Sequence, residues 1–169
     1  YGQLSYLATY SDGIDGVGGL LGANKVIIDD SDGHLYVLSG VGQSLALFNR
    51  DAMTGELNFV EFKQNGTSGV VGLNLAAEMA LSHDQHNIYV AGQGENALVR
   101  FNRDVNDGRL SFAEVINDGD VLSQPGTFVN GLTGASGLHL TADGQNVYVA
   151  ATQDNSVAVF NREAIGTLP

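Results

Sequence analysis

The sequence predicts an all-β chain made of four-stranded antiparallel blades, the unit of a β-propeller, and three observations predict it. One phrase occurs three times, as "LYVLSGVGQSLALFNRD" (Leu35–Asp51), "IYVAGQGENALVRFNRD" (Ile88–Asp104) and "VYVAATQDNSVAVFNRE" (Val147–Glu163). Each unit contains four short runs rich in Val, Ile, Leu, Tyr and Phe, separated by turn residues. No stretch carries an apolar stripe at helical spacing. A fixed period of about 50 residues marks a propeller or a solenoid, and four antiparallel strands in that length make one propeller blade.

The repeat is exact enough to count. Tyr36, Tyr89 and Tyr148 stand 53 and 59 residues apart. Phe48, Phe101 and Phe160 keep those spacings, as do Asn49, Asn102 and Asn161, and Arg50, Arg103 and Arg162. A second anchor opens each unit, in "GQLSY" (Gly2–Tyr6), "GELNF" (Gly55–Phe59) and "GRLSF" (Gly108–Phe112). The units therefore run at about 2–54, 55–107 and 108–166 of one propeller segment, 1–169. The 6 extra residues of the third unit fall between Asn117 and Leu132.

In the first unit the runs are Leu4–Tyr10, Lys25–Ile28, Leu35–Leu38 and Ser44–Asn49. The second unit repeats them at Met79–Leu81, Ile88–Ala91 and Ala97–Asn102. "DSDGH" and "ADGQN" each carry Asp-Gly, a tight-turn signal. The second unit has "HDQHN" (His83–Asn87) in that slot, which predicts a different turn. Val26, Met79 and Leu138 align, as do Ile28, Leu81 and Leu140, so the inner strands are apolar on both sides, as blades packed between neighbours require.

Three blades do not close a ring, which takes four to eight. Open edges would remain at both ends. Two resolutions stand level: the chain is a fragment of a six- to eight-bladed parent, or two copies associate into a six-bladed homodimer. The opening "YGQLSY" carries neither Met nor a signal segment and is read as the start of a mature domain or an excised piece.

Composition narrows the partners. The 169 residues carry 7 Lys+Arg against 19 Asp+Glu, a net charge of −12. Such a surface repels phosphate backbones, so nucleic acid is not an expected partner. No apolar run reaches the ~20 residues of a membrane span. There is no cysteine, which excludes disulfides, thiolate nucleophiles and Cys-ligated zinc. An extracellular or cell-surface location is the expectation, with periplasm or cytoplasm as alternatives.

Two places could hold a small molecule, a glycan or a protein ligand. On the inner strands, Lys25 and Glu78 share a column with Gly137, and His139 aligns with Ile27 and Ala80. A Lys, a Glu and a His around a channel could do acid–base work; a lining histidine with a satisfied hydrogen bond is the commoner case. The loop face collects Asp12, Asp15, Asp118, Asp120, Glu95, Asn96, Asp154 and Asn155. Of these, Glu95, Asn96, Asp154 and Asn155 are the candidate ligand contacts, although Asp and Asn are also simply turn formers. "DDSDG" (Asp29–Gly33) resembles the start of a calcium loop but lacks the later acid, and the turn explains it better. His83 and His86 flank a turn with no fixed geometry. Arg50, Arg103 and Arg162 recur in every unit, so a structural task is expected, pairing with Asp51, Asp104 or Glu163 beside them. No catalytic set, metal site or cofactor is assigned.

The "D-G-x-x-Y-V" turn into a strand, followed by "S-V-x-V-F-x-R-(D/E)" and "T-G-x-L", resembles the blade repeat of the seven-bladed lactonase-type propellers. That family includes 6-phosphogluconolactonase-like and muconate-lactonising enzymes and YVTN-repeat surface proteins. The match is best at Asp143-Gly144 with Tyr148-Val149 and departs at "HDQHN". The resemblance implies a propeller and a channel site using His, Glu and Arg, but no local motif transfers those roles to residues here. The expected function is a non-enzymatic binding or interaction module of a secreted or surface-associated bacterial protein. The alternative is a lactonase-like hydrolase or lactonising enzyme with its site in the channel. Whether the chain is an enzyme stays open.

Overall fold

The structure is a computed structural model that describes residues 2–122 and 128–162. Eleven strands form three antiparallel sheets among the described residues. The first blade holds β1 (Ala23–Ile28), β2 (His34–Ser39), β3 (Ser44–Arg50) and β4 (Leu57–Gln64) in that order. The second repeats it with β5 (Ala76–Leu81), β6 (Asn87–Gly92), β7 (Ala97–Arg103) and β8 (Leu110–Asn117). The third has β9 (Ala135–Leu140), β10 (Asn146–Ala151) and β11 (Ser156–Asn161).

The propeller reading holds, with two differences. The third blade shows three strands rather than four among the described residues. The run Leu4–Tyr10 is not a strand: residues 2–9 are exposed and unpaired in any sheet. Its residues match β4 and β8 position for position, but among the described residues no strand lies beside it to pair with. A strand with no partner leaves its backbone groups to water, and extended pairing gives it no stability. Glu163, the stretch 163–169 and positions 123–127 of the insertion lie outside the described residues.

The repeat also appears in the irregularities. Each inner strand carries one extra residue against its neighbour, at Asn24, Ala77 and Ser136. The pairs β3–β4 and β7–β8 each shift register at the same place, beside Phe48 and Phe101. Such bulges re-aim side chains and increase local twist.

The turn "HDQHN" is a correction. Gln85 sits at φ 63°, beside Asp32 at 59° and Gly144 at 70° in the same slot of the other units. The backbone makes the same turn in all three blades, with Asp32 and Gln85 at the left-handed position where the third blade has glycine.

The core lies between blades. Tyr36, Leu38, Leu45 and Leu47 of the first blade pack against Met79, Ile88, Val90, Val99 and Phe101 of the second. Tyr89, Ala91 and Leu98 of the second pack against Leu140, Val147 and Val149 of the third. The positions equivalent to these are uncovered at the two ends of the chain. Val26 is 53% exposed where Met79 is 2%, and Val157 is 63% exposed where Leu45 is 1%.

Candidate functional site

The inner strands β1, β5 and β9 lie side by side and carry an open groove of about 530 Å³. Its walls include Lys25, Glu78 and His139. Lys25 and Glu78 are brought together: Lys25 Nζ donates to Glu78 Oε1 at 2.7 Å, joining the first blade to the second. The same oxygen accepts the Met79 backbone N–H at 2.9 Å, which fixes the carboxylate. Asn24 Nδ2 donates to the Ala76 carbonyl at 2.9 Å, a second tie between the first blade and the second. His139 lies on the same groove but is exposed, and among the described residues it makes no hydrogen bond or ion pair. Its equivalents Ile27 and Ala80 pack into the joints between blades.

The loop-face residues sit together but are engaged with the scaffold. Glu95 Oε1 accepts from Asn65 Nδ2 at 2.8 Å, across from the first blade to the second. Asn96 Oδ1 accepts the Gly134 N–H at 2.9 Å, and Asp154 Oδ2 accepts the Thr133 N–H at 2.8 Å. Gln43, Asn96 and Asn155 occupy one hairpin position, at φ 52°, 54° and 51°. A left-handed backbone there selects asparagine among non-glycine residues. Asp12, Asn65 and Asp118 also form a column, each accepting a backbone N–H, from Leu20, Leu73 and Leu132. These carboxylates and amides tie hairpins to the connections between blades.

The opposite face holds a third cluster, in which the recurring arginines act. Arg103 Nε donates to the Tyr36 hydroxyl at 2.6 Å, and its Nη2 donates to Asp29 Oδ2 at 2.5 Å. The Tyr36 hydroxyl in turn donates to the Gly108 carbonyl at 2.7 Å. A Cβ on Gly108 would stand 2.6 Å from the His34 ring, so only glycine lets the chain approach this closely. Arg162 does the same one blade on, with Nε to the Tyr89 hydroxyl at 3.1 Å and Nη2 to Asp84 Oδ2 at 2.5 Å. Arg103 and Arg162 therefore clamp the preceding blade, whereas Arg50 donates to the Asp32 carbonyl of its own blade; among the described residues neither Arg50 nor Arg103 pairs with Asp51 or Asp104. Those two carboxylates accept backbone N–H groups of their own turns instead, from Met53 and Thr54 and from Asn106.

The electrostatics follow from these contacts. Burial pushes the Tyr36 phenol up to about 12, against the pull of Arg103. Burial also works to raise the Asp84 carboxyl, but the Ser82 hydroxyl and Arg162 hold it down to about 2. Asp29 is likewise buried, and hydrogen bonds from His34 and Ser31 bring it below the usual carboxylate range. His83, His86 and Asp143 line an open groove beside this clamp, together with Arg162.

The clamp acids were missed in the sequence because they do not align. The first blade has Asp29 with Ser31, bonded at 2.8 Å; the second has Ser82 with Asp84, at 2.6 Å. The third follows the second, with Thr141 and Asp143. Acid and hydroxyl exchange places two residues apart, so the pattern to look for is a pair rather than a column.

The repeat that builds this scaffold also identifies its relatives. The pattern of the family "Lactonase, 7-bladed beta-propeller" matches residues 22–121, more than half of the chain. The chain belongs to this lactonase propeller family. No curated protein matches it. Solved structures resemble it in fold. A candidate 6-phosphogluconolactonase of Bacteroides fragilis aligns at TM-score 0.68 and 17% identity, over 84% of this chain and 35% of that one. The periplasmic gluconolactonase of Pseudomonas aeruginosa aligns at 0.66 and 18%, over 83% and 36%. A Lactobacillus plantarum protein aligns at 0.67 and 18%, over 85% and 38%. This lactonase propeller segment thus spans little more than a third of the proteins it resembles.

Proposed function

We propose that this chain forms the Lys25–Glu78 sector of a sugar-lactone hydrolase site in the propeller channel. The family match over residues 22–121 is the observation that carries this reading. Two of the similar structures are described as a candidate 6-phosphogluconolactonase and a gluconolactonase, which suggests the substrate class. The local chemistry fits. Lactone hydrolysis needs a base to take a proton from water, and a cation near the carbonyl oxygen as the ring C–O bond breaks. Glu78, with one oxygen left over after its bonds to Lys25 and Met79, is the base on this wall, and Lys25 is the cation. His139 is a second proton acceptor on the same groove. A periplasmic location is part of this proposal, as in the Pseudomonas aeruginosa neighbour.

The reading as a binding module has less support. Three of the four loop residues it would use, Glu95, Asn96 and Asp154, already spend their side chains on internal hydrogen bonds.

The test is acid release from gluconolactone at constant pH, compared with the spontaneous rate. The expected result is a rate above the buffer that falls about 100-fold or more in Glu78→Gln and in Lys25→Met. A rate equal to the buffer for the folded protein, or one unchanged in both variants, overturns the proposal.

A further inference from the structure

One asparagine of the chain stands in front of a glycine that the fold does not let change. Gly19, Gly72 and Gly131 hold the same place in the links that lead into β1, β5 and β9, at φ 80°, 92° and 96°. A Cβ on Gly131 would stand 2.8 Å from Ser156 Oγ, and one on Gly19 would stand 2.7 Å from Phe62 Cβ. Backbone angle and space both require glycine here. The residue before it varies, as Gly18, Val71 and Asn130, so only the third unit carries Asn-Gly at this place. Among the described residues, the N–H of this glycine makes no backbone hydrogen bond in any of the three units. The position faces solvent in the four-stranded second blade too, where Val71 is 42% exposed. The exposure of Asn130 therefore belongs to the link itself.

The chain holds a second Asn-Gly step, Asn65-Gly66, and the fold treats it oppositely. Asn65 Nδ2 donates to Gln43 Oε1 at 3.1 Å and to Glu95 Oε1 at 2.8 Å, and its Oδ1 accepts the Leu73 N–H at 3.2 Å. The Gly66 N–H donates to the Val70 carbonyl at 2.8 Å. The amide and the nitrogen that could attack it are each held in other bonds. Around Asn130 the side-chain bonds pass the amide by. Asp118 Oδ1 accepts the Leu132 N–H at 3.0 Å, and Ser156 Oγ donates to the Gly131 carbonyl at 3.2 Å.

We propose that Asn130 is a site of spontaneous deamidation, a modification that the fold directs to one of the two Asn-Gly steps. The Gly131 nitrogen attacks Asn130 Cγ and an N–C bond forms. The Cγ–Nδ2 bond breaks, and the proton lost by the attacking nitrogen leaves with ammonia. Water opens the resulting succinimide at either carbonyl, giving aspartate or isoaspartate. Water is the only co-reactant, and nothing is oxidised or reduced. Either product adds a negative charge to a chain already at −12, in a link that already carries Asp118 and Asp120. Isoaspartate also lengthens the main chain between two anchored points. The Val129 N–H donates to the Asp120 carbonyl at 2.7 Å on one side, and the Leu132 N–H is held by Asp118 on the other. The link between the second and third blades thus ages with time, independently of any lactone hydrolysis.

The experiment follows both asparagines by peptide mass spectrometry in one sample of the folded chain, held at mildly alkaline pH. Enzymatic methylation counts the isoaspartate. Asn130 is expected to convert at least about tenfold faster than Asn65, because three side-chain hydrogen bonds must break before Asn65 can react. In urea, where those bonds are gone, the two rates should converge. The V71N variant places the same step in the second link and should gain a second reactive site, whereas Asn130→Gln should lose the first. Circular dichroism checks that both variants remain folded. Equal rates for Asn130 and Asn65 in the folded chain overturn the proposal. A rate ratio that persists in urea overturns it too, because the fold then has no part in the choice. A folded V71N variant whose new site reacts no faster than Asn65 is the third overturning result.

Discussion

Arg103 Nε donates to the hydroxyl of Tyr36, 67 residues earlier in the chain, at 2.6 Å. The guanidinium also reaches Asp29, and both side chains are nearly dry, at 2% and 3% exposure. A charge in such a place is stabilising only while its partner is present. Arg103→Ala, which leaves Asp29 buried and unpaired, is expected to cost about 3–5 kcal/mol in urea unfolding. Arg103→Lys should recover little of it, since one ammonium does not reach both oxygens in the guanidinium's planar geometry. Tyr36→Phe removes one neutral acceptor and one donor and should cost about 1–2 kcal/mol. A loss below about 1 kcal/mol in Arg103→Ala would show that the clamp is not what joins the blades.

The same clamp makes the fold acid-sensitive. The Asp84 carboxyl titrates at about 2 in the folded chain, against about 4 for an ordinary aspartate. A folded value below the unfolded one means the contribution is complete above about pH 4 and is lost as pH falls toward 2. Asp29 shifts in the same direction. Asp84 is 42% exposed, so salt screens its share, and Asp29 carries more of the effect. Urea unfolding across this pH range should give a shallower decline in Asp29→Asn than in wild type, from a lower plateau at neutral pH. Parallel curves would place the acid sensitivity elsewhere.

Much of this was legible in the sequence because a blade is a local object. Hydrogen bonds between consecutive strands follow from alternation and turn residues, so the strands and the columns of Tyr36, Phe48 and Arg50 could be read directly. What lies between blades could not. Arg103 is as close in sequence to Asp104 as to any acid, yet it bonds to Asp29, 74 residues away. The exchange of Asp and Ser between Asp29–Ser31 and Ser82–Asp84 hid that partner from alignment. Leu4–Tyr10 has the residues of a strand and lacks only a neighbour, a fact no single-strand pattern contains. The Lys25–Glu78 pair was legible as a column of polar residues on inner strands, whereas the exposure of His139 depends on a joint left open.

Leu75 offers a gain of stability. It sits at φ 48°, in the slot held by Gly22 at 70° and Gly134 at 74°, and its side chain is mostly in solvent. A left-handed backbone costs a branched side chain about 1–2 kcal/mol, and glycine in the unfolded chain gives back part of that difference. Leu75→Gly should therefore raise unfolding stability by about 1 kcal/mol. Gly108→Ala is the opposite case, with φ 73° and the His34 ring already in the way. It should cost about 2 kcal/mol or more. A destabilised Leu75→Gly would mean that its side chain packs in a way its exposure does not reveal.

Lys25 separates function from stability. Its ion pair with Glu78 is 37% and 23% exposed, in contrast to the dry Arg103–Asp29 pair. Partly solvated pairs contribute about 1 kcal/mol or less, because the attraction gained is offset by lost hydration and side-chain entropy. Lys25→Met should then leave the unfolding midpoint close to wild type. If the groove acts on lactones, the same change removes the cation facing the carbonyl oxygen and lowers kcat/KM by about 100-fold, mostly through kcat. A structural role for Lys25 makes the reverse pattern, with stability and activity falling together. Measuring both quantities on one preparation decides between the two.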